Sequence, residues 1–153
     1  MTYNIPNSEP LTIDTLVFDL NGTLANYGRI ARSTRSLLKT LKRKGFRLIL
    51  ISSDQRSNAA QWAHRLGMEF YAASSLDEKK KQIKKLQITN FAAIGNARVD
   101  LGLFEKAQLR IGTLQQEGLH TAILPHVEIL VAHIDHALTL FLDTDAMCAT
   151  LKK

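Results

Sequence analysis

Asp19 closes a short apolar run, Leu16-Val17-Phe18, and Asn21-Gly22-Thr23 follows almost at once. That order reads as a buried strand delivering a carboxylate to a turn at its carboxyl end, where open α/β sheets put their chemistry. Polar groups recur at equivalent places downstream. Ser52-Ser53-Asp54 follows the apolar run 46–51, and Gly95-Asn96-Ala97-Arg98-Val99-Asp100 follows 91–94. Between them lies a lysine-rich stretch, 79–85, and periodicity selects one lysine from it. Lys79, Ile83 and Leu86 fall at i, i+4 and i+7, so Lys79 shares the face that the two apolar residues bury, whereas Lys80 and Lys81 point elsewhere.

Positioning these groups requires alternating strands and helices. Residues 3–5 and 11–20 read as a strand or hairpin leading into the central strand, with Pro6, Asn7 and Pro10 as turn residues. A helix is expected from about 33, carrying Leu37, Leu38 and Leu41 and stopped by Gly45, then a strand over 46–51. Ser57 or Asn58 would cap the next helix, with Ala60, Trp62, Ala63 and Leu66 as core candidates and Gly67 as its stop. There follow a strand over 68–72, a helix over 77–86, a strand over 91–94 and a helix over 99–107. After these come a strand over 109–113, a short helix near 119–124, a strand over 127–131 and an amphipathic helix over 134–142, beyond which the tail carries no clear pattern. Parallel neighbours joined by right-handed crossovers would bring Asp19 and Ser52 to the same level. The fold class is α/β: a three-layer Rossmann-like sandwich, its sheet mostly parallel, with helices on both faces.

With 153 residues and 45% hydrophobic content, the chain suits one domain, 1–153, with its core at about 11–142. No apolar run approaches the length of a membrane span, and the first ten residues lack the features of a signal peptide, so the expected location is the cytoplasm. The single cysteine, Cys148, rules out an internal disulfide framework and has no visible base partner for a catalytic thiol. His133 and His136 could share a helix face, but no further ligand lies at metal spacing, and both read as surface residues. The net charge is +6. Its main contributors, 39–47 and 79–85, carry helix-spaced Leu and Ile and read as solvated helix faces. Without interleaved aromatics they do not point to a nucleic-acid partner.

Taken in order, Asp19-x-Asn21-Gly22-Thr23, Ser52, Lys79 and Gly95-Asn96-x-x-x-Asp100 resemble the four motifs of the haloacid dehalogenase-like (HAD) phosphotransferases. Asn-Gly-Thr-Leu-Ala, Ser-Ser-Asp and Ile-Gly-Asn-x-Arg-x-Asp are similar to the capless soluble subgroup related to P-type ATPases, over about 11–151. The resemblance implies that Asp19 is the nucleophile and forms an aspartyl-phosphate. It implies a Mg2+ cofactor held by Asp19, the Asn21 backbone carbonyl, Asn96 and Asp100, with Ser52, Ser53, Gly22 and Lys79 around the phosphoryl group and Thr23 stabilising the turn. Phosphoryl transfer needs mainly positioning and charge neutralisation, which this set supplies.

Three positions depart from the family. Asn21 stands where the usual acid/base Asp would be, Asn96 replaces the first acid of motif IV, and Val99 stands where the subgroup tends to have Asn. Weaker Mg2+ binding follows, together with a preference for substrates whose leaving group departs unprotonated, such as acyl phosphates, anhydrides or aryl phosphates. The expected activity is a HAD-like hydrolase acting on a phosphorylated small molecule or an exposed phosphoryl group on a macromolecule. The alternative is a catalytically impaired regulatory or binding module. The short connections, 23–33 and 53–77, leave no room for a cap domain, so a homo-oligomer could supply a lid. Asp54, beside the candidate site, reads either as an orienting group for Ser52 or as a helix cap.

Overall fold

A computed structural model of the chain describes residues 1–53 and 58–153. A two-stranded antiparallel hairpin, β1 (Thr2–Tyr3) and β2 (Leu11–Thr12), precedes a six-stranded sheet. The sheet strands are β3 (Thr15–Phe18), β4 (Arg47–Ser52), β5 (Glu69–Ala72), β6 (Phe91–Gly95), β7 (Leu109–Thr113) and β8 (Ile129–Val131). Their order is β5-β4-β3-β6-β7-β8, and every pairing is parallel.

The apolar runs of β3, β4 and β6 follow from that arrangement, because a parallel strand covered on both faces reads as continuously hydrophobic. Leu16, Phe18, Leu48, Leu50, Ala92 and Ile94 face one layer, with α1 (Arg32–Arg43), α2 (Ala59–Leu66), α5 (Ile134–Leu142) and α6 (Thr144–Leu151). Val17, Ile49, Ile51 and Ala93 face the other, with Ile83 of α3 (Leu76–Leu86) and Leu103 and Phe104 of α4 (Leu101–Phe104).

From β3 the chain winds outward through α1 to β4 and through α2 to β5. It then returns through α3 to β6 on the far side of β3. The strand order therefore reverses between β3 and β6, which opens a crevice above their carboxyl ends. Pairing Phe18 with both Leu50 and Ile94 sets Asp19 level with Ile51 and Gly95, so Ser52 and Asn96 follow one residue further along at the same end of the sheet. Residues 19–31, the connection that follows β3 on this side, are too few for a cap domain.

Several local expectations change. Ala59 rather than Ala60 is buried in α2, and Trp62 is only half-buried. Gly67 closes α2 in the left-handed conformation that glycine tolerates best. The helix over 99–107 is a 3₁₀ turn (Arg98–Asp100) followed by the single turn of α4, and another 3₁₀ segment (Thr121–His126) replaces the short helix near 119–124. The tail from Asp143 is helical, with the Asp143 carboxylate accepting the Ala146 amide at 2.9 Å. Met147 of α6 and Tyr3 of the hairpin are both fully buried, so the packed core extends beyond 11–142. Tyr3 donates its hydroxyl to the Phe141 carbonyl at 2.9 Å, which ties the hairpin to α5. Ser57 and Asp54 lie outside the described residues.

Candidate active site

Lys79 is the centre of the polar cluster. It sits in the first turn of α3, whose start is fixed by a capping box: Ser75 Oγ accepts the Glu78 amide at 3.2 Å, and Glu78 Oε2 accepts the Ser75 amide at 3.2 Å. The residue is 1% exposed, and its ammonium lies 2.7 Å from Asp19 Oδ1 and 2.7 Å from Asp100 Oδ1. One cation thus faces two carboxylates, leaving the buried triad one negative charge in excess.

The protonation behaviour follows. Burial and the neighbouring Asp100 carboxylate push Asp19 up to about 6, against the opposing pull of Lys79 and a hydrogen bond from Ser52. Burial acts to lower Lys79, but the Asp100 and Asp19 carboxylates outweigh it and hold the ammonium above its ordinary range. The site is built to keep the lysine charged.

Asp100 is fully buried, and its second oxygen, Oδ2, accepts the backbone amides of Asn96 and Ala97, both at 2.9 Å. With Oδ1 on Lys79, both oxygens already have partners within the protein. The geometry gives Asp100 the work of holding Lys79 and shaping the Asn96 loop, with lone pairs to spare on its carboxylate.

Asn96 points to the opposite side. Its Oδ1 accepts from Thr23 Oγ1 at 3.2 Å, and its Nδ2 donates to the Gly118 carbonyl at 2.9 Å. Gly22 makes this approach possible: at φ +73 a Cβ would lie 2.2 Å from Asn96 Nδ2. The turn closes through the Gly22 amide to the Ala25 carbonyl (2.8 Å) and the Ala25 amide to the Leu20 carbonyl (2.8 Å), a pattern that skips Asn21 and leaves its carbonyl without a backbone partner among the described residues.

The oxygens of Asp19, the Asn21 carbonyl, Asn96 and Asp100 at this end of the sheet are donors of the kind a hard cation such as Mg2+ takes. The uncompensated negative charge beside Asp19 also favours a cation there. With Asn96 in place of an acid, these residues suit Mg2+ with fewer charges than a fully acidic site. No group of three or more His, Cys, Asp or Glu residues with metal-holding geometry occurs among the described residues.

The segment after β7 was not anticipated. Thr113 Oγ1, fully buried, donates to the Gly22 carbonyl at 3.1 Å, and Gln115 Nε2 donates to the Thr23 carbonyl. Glu117 Oε1 accepts the Tyr27 amide at 2.6 Å. These contacts clamp the Asp19 loop from the β7 side. Sequence offered one signal for them, a threonine at the carboxyl end of a strand, the same position that singled out Ser52. Next to the site, Asn21, Ser53, Tyr27, Asn58, Gln116 and Glu117 line a cavity of about 560 Å3. His133 is an N-cap, its Nδ1 accepting the Asp135 amide at 3.1 Å. No described helix is long and apolar enough to cross a membrane.

By sequence the chain matches no family model and no curated protein. By structure it matches solved phosphatases. The cobalt-bound deoxy-D-mannose-octulosonate 8-phosphate phosphatase from Haemophilus influenzae superimposes with a TM-score of 0.73 at 14% identity, covering 93% of this chain and 94% of that one. The 3-deoxy-D-manno-octulosonate 8-phosphate phosphatase from Moraxella catarrhalis, solved with magnesium, phosphate and KDO, gives 0.72 at 20% identity and covers 92% and 94%. An apo phosphoserine phosphatase gives 0.67 at 14% identity, covering 84% and 98%. Strand order, switch-point crevice and overall superposition agree: the chain has the fold of the HAD hydrolases, without a cap domain.

Proposed function

We propose that this protein is a Mg2+-dependent phosphatase that works through an aspartyl-phosphate on Asp19. The observation that carries the reading is the Asp19–Lys79–Asp100 triad at the sheet's switch point, with Ser52 bonded to the same carboxylate. A buried, lysine-oriented carboxylate beside an open crevice is equipped for nucleophilic attack on phosphorus.

Asp19 attacks the phosphoryl group, an Asp19 O–P bond forms, and the bond to the leaving group breaks with its electron pair. Water then attacks the same phosphorus, releasing inorganic phosphate and returning the carboxylate. Two of the three Lys79 donors are held by Asp19 and Asp100, which leaves the third for a phosphoryl oxygen. Ser52 adds a hydroxyl. Asp19, the Asn21 carbonyl, Asn96 and Asp100 would hold Mg2+, which would supply neutralisation of phosphoryl charge. Asn21 donates no proton, so the leaving group departs as the anion it can sustain. The 560 Å3 cavity beside Asn21 and Ser53 is where that group would lie.

A second reading, phosphate binding without turnover, draws on the neutral side chains of Asn21 and Asn96 and on the hydrogen bonds that already occupy the Asn96 amide. A leaving-group series separates the two. With Mg2+ present, phosphate release from acetyl phosphate and 4-nitrophenyl phosphate is expected to exceed that from glycerol 3-phosphate by about 100-fold or more. EDTA is expected to stop it. Equal rates across the series would contradict the role given to Asn21, and no release from any of the three would favour the binding reading.

A further inference from the structure

Residues 20–53 contain eight lysines and arginines and no acidic residue. On α1, Arg32, Arg35, Lys39 and Lys42 fall at i, i+3, i+7 and i+10, a single stripe about 15 Å long. All four are exposed, and among the described residues none forms a salt bridge. The first three line a groove of about 360 Å3 against α2, which contributes Trp62 and Arg65. The Arg65 guanidinium lies 5.6 Å from the Trp62 ring centroid, and the indole nitrogen donates to the Gly28 carbonyl at 3.3 Å. Gly28 also lines the cavity beside Asp19, so Trp62 connects groove and site.

The other basic stretch is unlike this one. On α3, Lys79 is buried, Lys80 pairs with Glu105 at 3.0 Å, and Asp77 and Glu78 occupy the first turn. Lys81, Lys84 and Lys85 of α3 also form no salt bridge among the described residues, but the pocket they line holds Glu78 and no aromatic, whereas no acidic residue lines the α1–α2 groove. The groove also holds the aromatic that the sequence does not interleave with the α1 cations, supplied from α2 by the fold.

We propose that the α1–α2 groove is a binding surface for a single-stranded nucleic acid, holding the phosphate backbone on Arg32, Arg35, Lys39 and Arg65, with Trp62 as aromatic surface for a base. Arginine's planar fork matches phosphate geometry, and a cation-lined groove with one aromatic plane is the arrangement that tracks a single strand without reading its sequence. An anionic membrane is the poorer fit, since the exposed large apolar side chains, Met1, Tyr27, Leu114, Leu124 and Leu130, all lie off α1 and α2. The proposal is independent of turnover at Asp19.

The test is fluorescence anisotropy with labelled single-stranded DNA and RNA of about twelve nucleotides. Both are expected to bind with Kd of about 10⁻⁴ to 10⁻⁶ M, and log K to fall with log[salt] at a slope of about −2 to −3, for three to four phosphate contacts. Arg35→Gln/Lys39→Gln/Arg65→Gln is expected to weaken binding at least about tenfold and reduce the slope by about 2. Lys81→Gln/Lys84→Gln/Lys85→Gln removes the same charge from α3 and is expected to leave binding within about twofold. Asp19→Asn is expected to bind like wild type. All the substituted groove residues are exposed, and matched melting curves check the fold. Absence of salt-dependent binding, equal losses in the two triple variants, or equal affinity for polyglutamate or anionic vesicles would overturn the proposal.

Discussion

Asn21→Asp is expected to raise hydrolysis of an alkyl phosphate such as glycerol 3-phosphate by about 10²- to 10⁴-fold, the usual worth of a positioned general acid/base. The argument rests on where Asn21 lies. It follows Asp19 by two positions, is exposed and lines the cavity where a leaving group would sit. A carboxyl at that place can protonate a departing alkoxide and then deprotonate the hydrolytic water. Acetyl phosphate, whose leaving group needs no proton, should gain far less in the first step. A parallel gain on both substrates would show that the new carboxylate acts through metal affinity instead, and no gain on either would remove Asn21 as the limiting position. Rates measured at saturating and at limiting Mg2+ separate these outcomes.

Lys79→Met is expected to lower folding stability by about 3 kcal/mol or more, because removing one partner from a buried ionic cluster leaves the others uncompensated. Here two carboxylates would remain, Asp100 fully buried and Asp19 nearly so. For a chain of this length the loss corresponds to a fall in Tm of about 10 °C. Asp19→Asn in the Lys79→Met background removes one of the stranded charges and should recover part of the loss, so the two effects should be clearly non-additive. Urea unfolding of the four proteins measures this. A change below about 1 kcal/mol for Lys79→Met would contradict the buried triad.

Chemistry along the sheet was legible in the sequence where one residue's position determined its environment. The 3.6-residue period picked Lys79 out of five lysines because Ile83, one turn later, is buried on the same face. Apolar runs on both sides of every turn gave the parallel sheet, since strands covered on both faces leave no alternation to read. Ser75 and Glu78 form a capping box that was present in the sequence as Ser-x-x-Glu, so the start of α3 could have been placed by it.

What could not be read depends on contacts between distant segments. Asp100 was legible by its motif position, whereas its bonds to the Asn96 and Ala97 amides emerge only once the 3₁₀ turn is folded. Thr113 and Gln115 reach back across about 90 positions to the Asp19 loop, a separation over which no local pattern carries information. The last helix was missed for a different reason. It buries Met147 alone, too little for a visible period, and its cap, Asp143, was the only local sign. Trp62 is half-buried and packs against the core, and the fold also sets it between the α1 cations and Gly28.

The central claim is that Asp19 carries the phosphoryl group, and trapping that group tests it most directly. The protein, incubated with acetyl phosphate and Mg2+ and quenched in acid, is analysed by intact mass spectrometry and peptide mapping beside Asp19→Asn prepared identically. Lacking a carboxylate at 21 to activate water, the wild-type aspartyl-phosphate should persist long enough to be captured. The account predicts one added phosphoryl group, on the peptide containing Asp19, absent from the mutant. Phosphate release that continues undiminished in Asp19→Asn, or an adduct on another residue, would contradict it.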